Sequence, residues 1–160
     1  MQILAGHLLL SATDLVNFLG CRHSTYLDLR DLTDPVKISQ PDAATILVFE
    51  KGIEHEQRHL TSLKARGLNV VMASREGGDI TQRAAVTEQA FRSGADVIYQ
   101  AALIVPPWLG YTDFLERVNE ESSLGSWSYE ALDTKLSRTA KCKGRIDGIP
   151  ARRSKSVPVG

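Results

Sequence analysis

Two cysteines, Cys21 and Cys142, are too few to make a disulfide framework, so this chain has to be held together by packing. Net charge is missing too: 19 Lys and Arg stand against 19 Asp and Glu. That balance removes the strongly basic footprint by which many nucleic-acid-binding domains are recognised, and composition alone points to no charged partner. No apolar run reaches the roughly 18 residues of a membrane span. Met1 to Leu10 is mildly apolar but holds no Lys or Arg, so no secretory leader is expected. There is no internal repeat. Gly77-Gly78 lacks both the following Lys-Ser/Thr and the spacing of a phosphate-binding loop. The expectation is a reducing, cytoplasmic setting with no membrane partner.

What is present suits an ordinary globular domain. At 160 residues, 42% of them apolar and 24% charged, the chain can bury a real core. Its charge is uneven: residues 139–160 hold six of the 19 basic residues and one of the 19 acids, Asp147, which leaves 13 and 18 in the first 138. From Thr139 the sequence has no helical or strand periodicity and is rich in Gly, Pro and Ser. Residues 139–160 are expected to be a basic, disordered tail behind a folded region over 1–138.

Ser11-Ala12-Thr13-Asp14 reads as a helix start, with Leu15, Phe18 and Leu19 on one face and a stop near Gly20. Asp34-Pro35 and Gln40-Pro41 mark Asp31 to Pro41 as a loop. A long helix is expected from about Asp42 to Arg66, ended by Gly67, with Ile46, Phe49, Ile53, Leu60 and Leu63 as its core stripe. Leu68 to Met72 reads as a short buried strand, and Thr81 to Arg92 as a helix stopped by Gly94. Three strands should follow as a meander: Asp96 to Val105, Leu109 to Val118 after the Pro106-Pro107 turn, and Trp127 to Leu136. Trp108 and Trp127 flank its turns. Either could stack on a base, although core or rim packing suits them better. The order is that of a mixed α/β (α+β) fold.

Asp133 and Lys135 lie two apart near the end of the third strand, so both side chains project from one face, while Glu130 has the opposite parity. A carboxylate that holds a hard cation, next to an ammonium that orients water or offsets developing charge, is what phosphodiester hydrolysis requires. The same triplet also fits an exposed ion pair of little consequence. Asp113 interrupts the apolar strand expected to pair with the Asp133 strand. A charge there either has a partner or a metal, or discourages edge aggregation. His55 lies on the long helix opposite the Ile46–Phe49–Ile53 stripe, in line with Val48, Gly52 and His59, facing solvent or a second surface.

Taken in order, Gly52-Ile53-Glu54-His55, Gly110-Tyr111-Thr112-Asp113 and Tyr129 to Lys135 resemble the successive motifs of the RecB-like branch of the PD-(D/E)XK nuclease superfamily. Ser11 to Cys21 is similar to that family's entry helix and its cysteine, so the resemblance covers roughly residues 10–138. It implies a restriction-endonuclease-like core in which His55, Asp113 and Asp133 bind Mg²⁺ or Mn²⁺ and Lys135 assists catalysis on DNA. Members often act in DNA repair beside a helicase-like domain or partner. The family continues after its Asp/Glu-x-Lys strand into a helix with Gln and Tyr and then a further strand. Here no Gln follows position 100 and no Tyr follows 129. The C-terminal helix and last strand are therefore expected to be lacking, which leaves a metal-dependent DNA nuclease that is either active or silenced by that loss. The iron–sulfur cluster of some members needs four cysteines and is not expected; Cys21 reads instead as a small buried apolar residue.

Two other functions fit parts of the sequence. His55-Glu56-Gln57-Arg58-His59 matches the zinc-peptidase pattern H-E-x-x-H, in which two histidines one turn apart hold Zn²⁺. Arg58 would set a cation beside that metal, and a third ligand such as Glu76 or Glu88 has no supporting motif. Alternatively, the chain is a catalytically silent scaffold or nucleic-acid-binding fragment whose basic tail grips phosphates.

Overall fold

The computed structural model describes residues 1–35, 39–74 and 78–132. Its order is a mixed α/β one, as expected, with three elements the sequence did not announce. The described residues fall into two compact units: one built from Met1–Pro41 and Leu103–Gly110, the other from Asp42–Ala102 and Tyr111 onwards.

The first unit opens on a hairpin of β1 (Gln2–Leu4) and β2 (His7–Leu9), paired antiparallel with Leu4 opposite His7. Ala5 and Gly6 take φ of 48° and 78°, the left-handed pair that a two-residue hairpin turn requires. Then α1 (Ala12–Gly20) begins on a capping box: the Ser11 hydroxyl accepts from the Asp14 amide, and the Asp14 carboxylate accepts from the Ser11 amide at 2.6 Å. Asp14 also receives the Met1 ammonium at 2.7 Å. Burial opposes its ionisation, but these donors outweigh it and hold the carboxyl below its ordinary range. The helix ends at Gly20 as the sequence indicated. Its apolar face is open, with Leu15, Val16, Phe18 and Leu19 all exposed. Cys21 joins α1 to α2 (Arg22–Asp31) and is exposed, not buried as expected, because it occupies the corner between two helices.

In the second unit α3 (Ala43–Ala65) starts on the Asp42 side chain, which accepts from the Thr45 amide at 2.8 Å, and Gly67 follows its end with φ 75°. The short strand β3 (Val70–Met72) is half-buried at best. α4 (Ile80–Ser93) is capped by Asp79 and stopped by Gly94 in the left-handed conformation, φ 67°. Next come β4 (Val97–Val105), β5 (Trp108–Val118) and β6 (Ser128–Leu132), giving a sheet in the order β3-β4-β5-β6. β3 and β4 are parallel, and β5 and β6 antiparallel. A two-residue connection at Pro106-Pro107 allows β4 and β5 only an antiparallel pairing.

Alternation along the strands sends side chains to two cores. Val97, Tyr99, Phe114 and Leu132 pack with Leu60 and Leu63 of α3; Ile98, Ala101, Leu115 and Tyr129 pack with Ala90 of α4. The sheet is thus covered by one helix on each face. On the α4 side the Tyr129 hydroxyl donates to the Ala95 carbonyl at 2.8 Å, and the Trp127 indole donates to the Phe91 carbonyl at 3.2 Å. Trp127 therefore belongs to the core edge, whereas Trp108 is exposed.

The expected stripe on α3 needs correction. Leu60 and Leu63 are buried, but Ile46, Phe49 and Ile53 are exposed, as are all residues from 41 to 50. The face against the sheet runs instead through His55, Glu56, His59, Leu60 and Leu63 at spacings of three and four. Apolar spacing identified a helix, while the reach of the sheet decided which turns it covers.

Candidate functional site

The polar face of α3 meets β4 and β5 around Tyr99, and this contact carries the candidate site. His55 is 8% exposed, and its Nε2 has no hydrogen-bond partner. One turn on, the His59 Nε2 is also buried without a partner, and its ring meets the edge of Phe114 at 4.8 Å between centroids. Burial pulls the His59 imidazole below its ordinary 6.5; the Glu116 carboxylate opposes that shift, and the neighbouring His55 and Arg66 side chains reinforce it.

Between the histidines, Glu56 and Gln57 turn to the strand. The Gln57 amide donates to the Tyr99 hydroxyl at 3.0 Å, and the Gln100 amide donates to Glu56 Oε1 at 3.0 Å. The Tyr99 hydroxyl is held far from ionising, first by burial, then by the neighbouring Glu56 carboxylate and the charge of Asp113. Asp113, on β5, is half-buried and has an interaction of its own. Tyr99 thus lies between the two sequence motifs: it accepts from Gln57, two residues past His55, and the charge of Asp113 opposes its ionisation.

Of the four residues singled out by the sequence, His55 lies on α3 and Asp113 on β5, both in the second unit. Asp133 and Lys135 lie outside the described residues. The last described pair of the β5–β6 ladder is Phe114 with Leu132, one residue short of Asp113 on one strand and of Asp133 on the other. Among the described residues no three His, Cys, Asp or Glu side chains form a group able to hold a metal ion. Nor is any helix among them long and apolar enough to cross a membrane. Tyr99, Gln57 and Gln100 escaped the sequence reading because uncharged polar residues in a strand and on a helix carry no motif. Only the polarity of Gln100 between Tyr99 and Ala101 was a signal.

No protein-family model, curated protein or solved structure matches the chain.

Proposed function

We propose that this chain carries the metal-binding part of a RecB-like nuclease core of the PD-(D/E)XK type, which hydrolyses DNA phosphodiesters with Mg²⁺ or Mn²⁺. The observation that carries this reading is the buried His55 with an unpartnered Nε2. Leaving a buried polar atom unsatisfied costs about 1–3 kcal/mol, a cost relieved when the nitrogen ligates a cation. The donor types suit such an ion. His55 and Asp113 would hold it with Asp133, and Lys135 would orient the attacking water and offset charge developing on the phosphate. A divalent ion bound there supplies Lewis-acid polarisation and a more acidic water. The mixed α/β order, in which a helix bearing the histidine precedes the strand bearing the aspartate, is compatible with that core.

Cleavage of single- and double-stranded DNA in Mn²⁺ tests the reading. Asp133→Ala and Lys135→Ala should each lower the rate by about 10²-fold or more with an unchanged melting temperature. Undiminished Mn²⁺-dependent cutting by both variants would remove the assignment. DNA binding without cutting, indifferent to Asp133→Ala, would make the chain a silent nucleic-acid-binding fragment.

One observation favours a second reading, zinc bound through His55 and His59: both Nε2 atoms are buried and unpartnered, one turn apart. Against it, the Glu56 carboxylate needed as a base is already bonded to Gln100. Stabilisation by Zn²⁺ that is lost in His59→Ala and kept in Asp113→Ala would favour the zinc site.

A further inference from the structure

Gln100 is half-buried in the middle of β4, yet its φ is 50°, a left-handed conformation that costs a non-glycine residue free energy. The consequence is visible in the packing. Ile98 and Ala101, three apart, share the core on the α4 side, where an unbroken strand would bring every second residue to one face. The backbone at Gln100 therefore shifts the alternation by one residue. Its polar groups then reach both helices. The side-chain amide donates to Glu56 of α3 at 3.0 Å, and the main-chain carbonyl accepts from Arg83 Nε of α4 at 2.5 Å. Arg83 in turn lies over the Tyr111 ring on β5, 5.1 Å from its centroid.

Nothing in core packing asks for this arrangement, since an apolar residue in ordinary strand geometry would cover the sheet at less cost. What it does fix is the rotation of α3. Glu56 is bonded by the Gln100 amide, and the next residue, Gln57, bonds the adjacent Tyr99 hydroxyl. A helix held at two successive residues cannot roll, and His55 immediately precedes them. We propose that Gln100 is a positioning residue for the metal site: its strained backbone and its amide clamp Glu56, so that α3 presents His55 to the sheet at one fixed rotation. This role rests on the nuclease reading above and adds to it residues that touch neither metal nor DNA.

Exchanging the two partners of the clamp tests it. Gln100→Glu alone sets two carboxylates against each other, and Glu56→Gln alone sets two amides together. The double exchange restores one donor and one acceptor. The readouts are the Mn²⁺ concentration that half-saturates DNA cleavage by the full chain and the melting temperature of each variant. Each single variant should need about tenfold more Mn²⁺ or beyond, in line with losses on removing outer partners of metal ligands. The double exchange should recover most of that loss.

Gln100→Gly accepts the left-handed backbone and deletes only the side chain, so it measures the amide alone even if Gln100→Glu fails to fold. It too should raise the Mn²⁺ requirement. Single variants that match the wild type, or a double exchange no better than the singles, overturn the positioning role while leaving the nuclease reading intact. A wild type that neither cuts DNA nor responds to Mn²⁺ removes the nuclease reading, and the positioning role falls with it.

Discussion

The two halves of α3 are built on opposite terms. Its first turns carry Ile46, Leu47, Val48 and Phe49, and every residue there is exposed. Its later turns set His55, Glu56 and His59 against the sheet, beside Leu60 and Leu63. Apolar side chains in water and polar ones inside are the reverse of what transfer free energies favour. The difference teaches that burial along one helix follows the extent of the sheet beneath it. It also shows that the covered stretch has kept groups that packing would not select. Two buried imidazole nitrogens without hydrogen-bond partners are a stability cost.

Cutting one side chain under each half should separate them most sharply. Phe114 is fully buried and is touched by both His59 and Tyr99, so Phe114→Ala should cost about 3–5 kcal/mol in a denaturant melt. Phe49→Ala, on the exposed half, should stay within about 0.5 kcal/mol. Comparable losses at both positions would mean that the first turns of α3 are covered in solution.

A smaller effect of the opposite sign tests the cost of the buried histidines. His55→Leu removes the unpartnered Nε2, and without added metal it should stabilise the chain by about 1 kcal/mol. It should also abolish any stabilisation by Mn²⁺. Destabilisation by that substitution would show that His55 is already satisfied in the fold.

The weakest contrast is in pH. The folded pKa of His59 lies below its ordinary 6.5, so between the two values the unfolded chain binds more protons, and stability rises with pH. The melting temperature should therefore fall as pH is lowered from about 7.5 to about 5.5, and His59→Phe should flatten that slope. An equal slope in the variant would place the titrating group elsewhere.

What the sequence made legible was mostly local chemistry. Helix ends were readable because Ser11 with Asp14, Asp42, Gly67 and Gly94 act within one turn of themselves. The three later strands were readable as apolar runs between turn residues. By contrast, α2 was missed because Arg22-His23-Ser24-Thr25 supplies neither an apolar stripe nor a side-chain cap bond. The β1–β2 hairpin turns on Ala5-Gly6, a weaker signal than Asn-Gly or Asp-Gly. Around Tyr99, His55 and Asp113 stood out as ionisable side chains in unusual places. The left-handed Gln100 and its bond to Glu56 depend on the pairing of β4 with α3, 44 residues apart in the chain, which no local pattern encodes.

The most direct test is a thermal melt of the full chain with and without Mn²⁺, run beside Asp113→Ala. A site assembled from α3 and β5 predicts a cooperative melt that Mn²⁺ raises in the wild type and leaves unchanged in the variant. A melt indifferent to Mn²⁺ in both, or raised equally in both, would contradict a metal site at His55 and Asp113.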